Sequence, residues 1–222
     1  MKSKTYITHL LLVINLAVYF FMLFKFGTTE NSLVLMKMGA NFAPLVWIEG
    51  EWWRLISAAF IHIGITHLLM NMISLYFIGQ DLEKIIGPWR FLILYMVSAI
   101  GGNLFSLVFS SGAVSAGAST AIFGMFAAYI GLAKMNSHLE FLQARATSYS
   151  VLILINFING FLSPGIDNWG HFGGALYGFI VTFVLGSSTS EKSISKVSIF
   201  AMLLLVLISF VILGYGKMSF TY

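Results

Sequence analysis

Residues Gly117–Gly124 read GASTAIFG, a small, polar, glycine-flanked segment in a chain otherwise largely made for lipid. Strongly apolar sequence follows it, so a helix is expected to begin here. If the preceding stretch SSGAVSAGA dips into the bilayer, that helix starts inside the membrane. Non-helical backbone is allowed at such depth only where protein or water covers it. Ser119 then sits at or near the helix N-terminus, where unpaired backbone amides favour negative charge. A nucleophile whose attack creates an oxyanion is well served there. The competing reading is that Ser119 only caps the helix.

The wider composition fits a membrane setting. The chain has 222 residues, of which 59% are hydrophobic and 9% charged, against about 25% charged in soluble domains. Such a chain cannot cover a water-facing surface, and we read it as polytopic. With three prolines and no long polar tract, the whole of 1–222 is expected to form a single membrane domain. The lack of cysteine excludes disulfides and thiolate chemistry. The net charge of +4 does not suggest a nucleic-acid partner.

Spans of about 20 apolar residues are expected at roughly 6–26, 57–79, 89–110, 119–135, 147–163, 169–186 and 195–215. The first has Lys2 and Lys4 ahead of it, like a signal peptide, but no Ala-x-Ala-like site closes it; it is read as a retained helix. Lys2, Lys4, Lys84, Arg90, Lys134, Arg145, Lys192 and Lys196 fall on one side of this arrangement. Lys25, Lys37, Arg54 and Lys217 fall on the other. The imbalance puts the N-terminus in the cytoplasm and the C-terminus outside a cell membrane. The segment 27–56, with its Trp-rich APLVWIEGEWWRL, is expected to lie in the outer leaflet and to be partly helical.

Polar groups within spans are costly and mark the bundle interior or function. They are His62, His67, Asn71, Asn103, Ser119, Thr120 and His171. His67 and Asn71 share a helical face, being four apart. His62, His67, Ser119 and His171 all fall in the outer half and are expected to converge on one water-accessible pocket. In WGHFGGALYG, His171, Gly174 and Gly178 share a face, and the two glycines form a small-xxx-small pair. Span four offers a matching stripe in Ala121, Gly124, Ala128 and Gly131. Packing these faces would bring Ser119 to His171, and a serine needs such a base to attack at neutral pH. His67 and Asn71 are candidate oxyanion donors. Asp167, four before His171, is a weak third member and better suited to starting the helix. The plain alternatives are that the glycines only pack, Ser119 only caps and Asn71 is interhelical glue.

Together these residues resemble the rhomboid family of intramembrane serine proteases. WWRL, with Trp53 and Arg54, looks like the family's Trp-Arg; HLLMN gives its His-x-x-x-Asn, with His67 and Asn71. GAST gives most of Gly-x-Ser-Gly, with Gly117 and with Ser119 in the nucleophile's place. GHFGGALYG is similar to the sixth-helix motif, with His171, Gly174 and Gly178. The resemblance implies an all-α fold, with a six-helix core over about 6–186 and an added seventh helix at about 195–215. It implies a Ser119–His171 dyad below a cavity opening externally, with an oxyanion site of His67, Asn71 and Ser119. It implies cleavage of single-pass transmembrane proteins, often after a small residue, with no metal or other cofactor. The sequence departs from the family at Thr120, which replaces a glycine, at Gly170, where alanine is common, and at Phe123, where many members have tyrosine. The ring of Phe123 can still stack on His171.

Rival classes fare worse. An inactive rhomboid-like protein that binds transmembrane clients would have lost the serine or the histidine. A transporter would favour intramembrane charge and repeated halves. A zinc protease would need His-Glu-x-x-His, and an aspartyl protease two mid-membrane aspartates, whereas Asp81 and Asp167 both lie near span ends.

Overall fold

The computed structural model describes residues 5–163, 165–186 and 195–221. Lys2, Lys4 and Lys192, used in the charge asymmetry, lie outside the described residues. Among the described residues eleven α-helices follow one another: α1 Tyr6–Phe26, α2 Ser32–Met38, α3 Ala43–Trp47, α4 Arg54–Ser57, α5 Gly64–Ser74, α6 Gln80–Ile86, α7 Pro88–Phe109, α8 Ser119–Met135, α9 Glu140–Leu162, α10 Asn168–Leu185 and α11 Lys196–Thr221. A π-type turn, Leu75–Gly79, joins α5 to α6 without a break. The described residues contain no β-strand, only an isolated bridge between Asn41 and Ser115. The protein is thus an all-α membrane bundle.

The second span differs from its expected bounds. Residues 57–60 belong with α4 and a following 3₁₀ turn, and the chain bends by 92° before Gly64–Ile86. Gly64 makes the corner with φ +73°, a conformation that costs glycine little. The fifth span starts early, at Glu140. Its first turns are polar, but Thr147, Ser148 and Ser150 bond the carbonyls four residues back, so the helix continues where hydropathy alone stops.

Four helices, α1, α7, α9 and α11, are long and apolar enough to cross a bilayer, and the bent pair would make a fifth. The two remaining expected spans are α8 and α10. Helix α8 has only 17 residues and is buried along nearly its whole length. Its neighbours are α7, α9 and α10, and α10 also packs on α7 and α11. Helices enclosed by protein need not be apolar all round, and a hydropathy reading undervalues them.

Glycine sets how closely these helices meet. A Cβ on Gly174 would strike the Thr120 carbonyl, and one on Gly178 would strike the backbone of Gly124. Helix α7 contributes too, because Gly102 leaves the space that Thr120 fills and Ser98 lies against Gly124. At the opposite end, the buried Glu83 carboxylate accepts from Ile7 N, Thr8 N and Thr8 Oγ1 at 3.0, 2.8 and 2.7 Å. It serves as the missing cap of α1, whose first turn contains no acidic residue.

Because backbone meets backbone at Gly178, one methyl group is enough to part α8 from α10. Gly178→Ala is expected to lower thermal stability in detergent by about 1–3 kcal/mol, the usual cost of overpacking. An unchanged unfolding midpoint in a static light-scattering melt would contradict this contact.

Candidate active site

The loop before α8 is held by the covering the sequence requires. Asn41 and Ser115 exchange backbone hydrogen bonds of 2.8 and 2.9 Å, and Gly117 N donates to Ala58 O at 2.9 Å. Gly117 has φ +135°, and a Cβ there would lie 2.6 Å from His67 Cε1. Only glycine suits this position. The next residues turn directly into α8, with Ala118 at the N-cap and Ser119 as the first helical residue.

Ser119 makes no capping bond. Its Oγ lies 3.0 Å from His171 Nε2. Phe123, one turn further along α8, stacks on the His171 ring with centroids 4.1 Å apart and planes 7° from parallel. The ring is therefore fixed in plane without a hydroxyl at position 123. His171 Nδ1 has no partner among the described residues.

These side chains face a cavity of about 930 Å³, large for a ligand site. His67, Asn71, Gly117, Ser119, Thr120, Phe123, Asp167 and His171 are part of its wall. Asn71 Nδ2 gives one hydrogen to His67 O at 2.8 Å, which leaves its second amide hydrogen unspent. His67 Nδ1 accepts from Ile63 N at 3.4 Å. A neutral imidazole that accepts at Nδ1 carries its proton on Nε2, the edge beside Gly117.

Not every expected residue reaches the cavity. His62 packs against His67, with ring centroids 5.3 Å apart, but does not line the cavity: it is fully buried behind the wall, where its Nε2 accepts from Ala118 N at 3.4 Å. It supports the turn that carries Ser119. Asn103 bonds Leu55 O and accepts from Asn41 through its own carbonyl, joining α7 to the entry loop. Arg54 is buried and donates to Met36 O and Ala40 O at 2.6 and 2.9 Å, with Glu51 as its ion-pair partner. Trp53 covers Gly39. Arg54 and Trp53 therefore shape segment 27–56 at a distance from Ser119.

Asp167 matters more than its place before the helix suggests. It is the N-cap of α10, accepting from Gly170 N at 2.9 Å. The same carboxylate accepts from Ser115 Oγ at 2.6 Å and Ser110 Oγ at 3.3 Å. It thus ties the loop that carries Ser119 to the helix that carries His171, and this use keeps it off His171 Nδ1. Neither serine stands out in the sequence, since loop serines are common. Asp167→Ala is expected to cost about 1 kcal/mol for the cap and more for the two hydroxyls left behind. Asp167→Asn should recover most of the cap. Equal melting midpoints for wild type and Asp167→Ala in detergent would remove this clamp.

The matches to known proteins follow the same residues. The family model described as the Rhomboid domain matches residues 49–188, which contain all four motif segments. The chain is 38% identical over 185 residues to Rhomboid protease GluP of Bacillus subtilis (strain 168), covering 83% of this chain and 36% of that protein. It is 34% identical over 163 residues to Putative rhomboid protease YdcA of the same organism, covering 72% and 80%. It is 44% identical over 167 residues to RHOMBOID-like protein 5 of Arabidopsis thaliana, covering 70% and 53%. The chain thus spans a little over a third of GluP and about half of the plant relative. A domain match over more than half of the chain, with relatives of this identity, leaves one assignment: this chain belongs to the rhomboid family.

Proposed function

We propose that the chain is an intramembrane serine endopeptidase that cuts single-pass transmembrane proteins with Ser119 and His171. One observation carries this reading: the 3.0 Å approach of Ser119 Oγ to His171 Nε2, at a helix N-terminus facing a large cavity. Family membership supports peptide-bond hydrolysis within membranes in general.

In the proposed mechanism His171 carries its resting proton on Nδ1 and offers Nε2 as base. Ser119 Oγ attacks the scissile carbonyl carbon while its proton passes to Nε2. The carbonyl oxygen becomes an oxyanion. It is met by the Ser119 amide at the start of α8, by the free amide hydrogen of Asn71 and by His67 Nε2–H. The C–N bond then breaks as Nε2–H protonates the leaving amine, and the acyl group stays on Ser119. Water, deprotonated by Nε2, releases it. With Nδ1 unpartnered and Asp167 engaged elsewhere, the stacked Phe123 ring takes over the orienting task that a third residue has in a triad.

Residues that act as one unit lose their effects together. Ser119→Ala and His171→Ala are each expected to reduce cleavage of a model transmembrane substrate to background, and the double variant to be scarcely worse. A fluorophosphonate probe should label the wild type and not Ser119→Ala. A folded Ser119→Ala protein that still cuts would overturn the dyad and leave Ser119 as no more than the first residue of α8.

The charge asymmetry supports a cytoplasmic N-terminus, with the cavity opening on the external side. Alkaline phosphatase fused after Ser163 is then expected to be active, and after Ser137 inactive. The reverse pattern would invert the orientation.

A further inference from the structure

At the end of the bundle far from Ser119 lies a second, smaller cavity of about 360 Å³. Its wall comes from two helices that face each other across a gap. The π turn and α6 give Tyr76, Phe77, Gln80, Asp81 and Lys84, and α9 gives Arg145 and Tyr149. Gln80 and Lys84 share one helical face, and so do Arg145 and Tyr149, each pair being four apart.

The hydrogen-bond pattern leaves this cavity rich in donors. Asp81 is already committed, accepting from Tyr129 OH at 2.9 Å and pairing with Arg145 Nη2 at 3.0 Å. Arg145 spends one further hydrogen on Tyr149 OH at 3.3 Å, and a guanidinium has five. Lys84 is exposed and has no partner among the described residues, and neither has the half-buried Gln80 amide. Lys84, the Gln80 amide and the remaining Arg145 N–H donors therefore line one cavity, and Lys84 is the cation that the Asp81–Arg145 pair leaves unbalanced. On the rim, Tyr76 and Phe77 stay 44% and 67% exposed, apolar surface of the kind that lies against lipid tails. The π turn sits at this point, and such turns often mark function.

We infer that this cavity binds the phosphate of an anionic phospholipid, with Lys84, Arg145 and Gln80 holding its charged oxygens and Tyr76 and Phe77 lying along its acyl chains. Lys84, Arg90, Lys134 and Arg145 gather at this end, which marks the headgroup level. Basic pockets between transmembrane helices are known places for such headgroups. In the proposed orientation this is the cytoplasmic leaflet. The inference does not depend on catalysis at Ser119.

Purified protein, stripped of lipid and exposed to equal amounts of dioleoyl phosphatidylglycerol and dioleoyl phosphatidylcholine, tests this by native mass spectrometry. One retained phosphatidylglycerol is expected in wild type. Lys84→Ala is expected to reduce its occupancy about five-fold, the usual weight of one cation at a membrane surface. Lys37→Ala, an exposed lysine at the other end of the bundle, should change nothing. Lys84 is exposed, so its variant should fold, and a thermal shift induced by phosphatidylglycerol but not phosphatidylcholine gives a second readout. Equal retention of both lipids, or a Lys84→Ala protein that binds as wild type does, overturns the inference. Displacement by low-millimolar inorganic phosphate would assign the cavity to a soluble anion and overturn the lipid as its occupant.

Discussion

The backbone contact between α8 and α10 is the constraint on which the rest depends. Gly174 meets the Thr120 carbonyl and Gly178 meets Gly124, with no side chain between. Lipid tails are as apolar as leucine, so burying leucine between these helices would gain little; close approach gains dispersion and fixes geometry. That geometry is what Ser119 and His171 require. They lie on different helices, 52 residues apart, and meet at 3.0 Å. A spacing set by backbone is harder to disturb than one set by flexible side chains. Helix α7 completes the arrangement, since Gly102 leaves the space that the Thr120 side chain fills.

A second constraint acts on the loop before α8. A helix that starts at depth exposes the polar backbone ahead of it, and each such group must find a partner. Here the partners come from distant sequence: Asn41 for Ser115, Ala58 for Gly117 and His62 for Ala118. Asp167 then joins this loop to α10. The entry segment 27–56, pinned in turn by Arg54, thus takes part in placing the nucleophile although none of its residues lines the cavity.

The sequence shows these features unevenly. The glycine stripes and the pairing of α8 with α10 are legible because small residues at helical spacing have one main use in a membrane. Stacking of Phe123 on His171 is legible only through the family resemblance, since the two rings lie on different helices. The corner at Gly64 is not, because an apolar run looks the same whether it continues or turns by 92°. Depth alone places His62 among the cavity residues, but depth does not say which way a ring points. Glu83 gives no signal either. A carboxylate near a span end is ordinary, and its partners, Ile7 and Thr8, lie more than seventy residues earlier.

Hydropathy and burial also part company here for a physical reason. The α9 and α11 windows, with mean hydropathy 1.3 and 2.9, are both only 11% buried. The α7 window, at 1.9, is 72% buried. Outer helices answer to lipid, which asks only for apolar surface. Inner helices answer to one another and to the cavity, which ask for glycine, hydroxyls and histidine. Helices α8 and α10, which stand outside the four long apolar spans, are the ones that carry the reactive pair. A polar site buried in a membrane protein can exist only where neighbouring helices have taken over the contact with lipid. Its residues therefore lie on helices that other helices enclose.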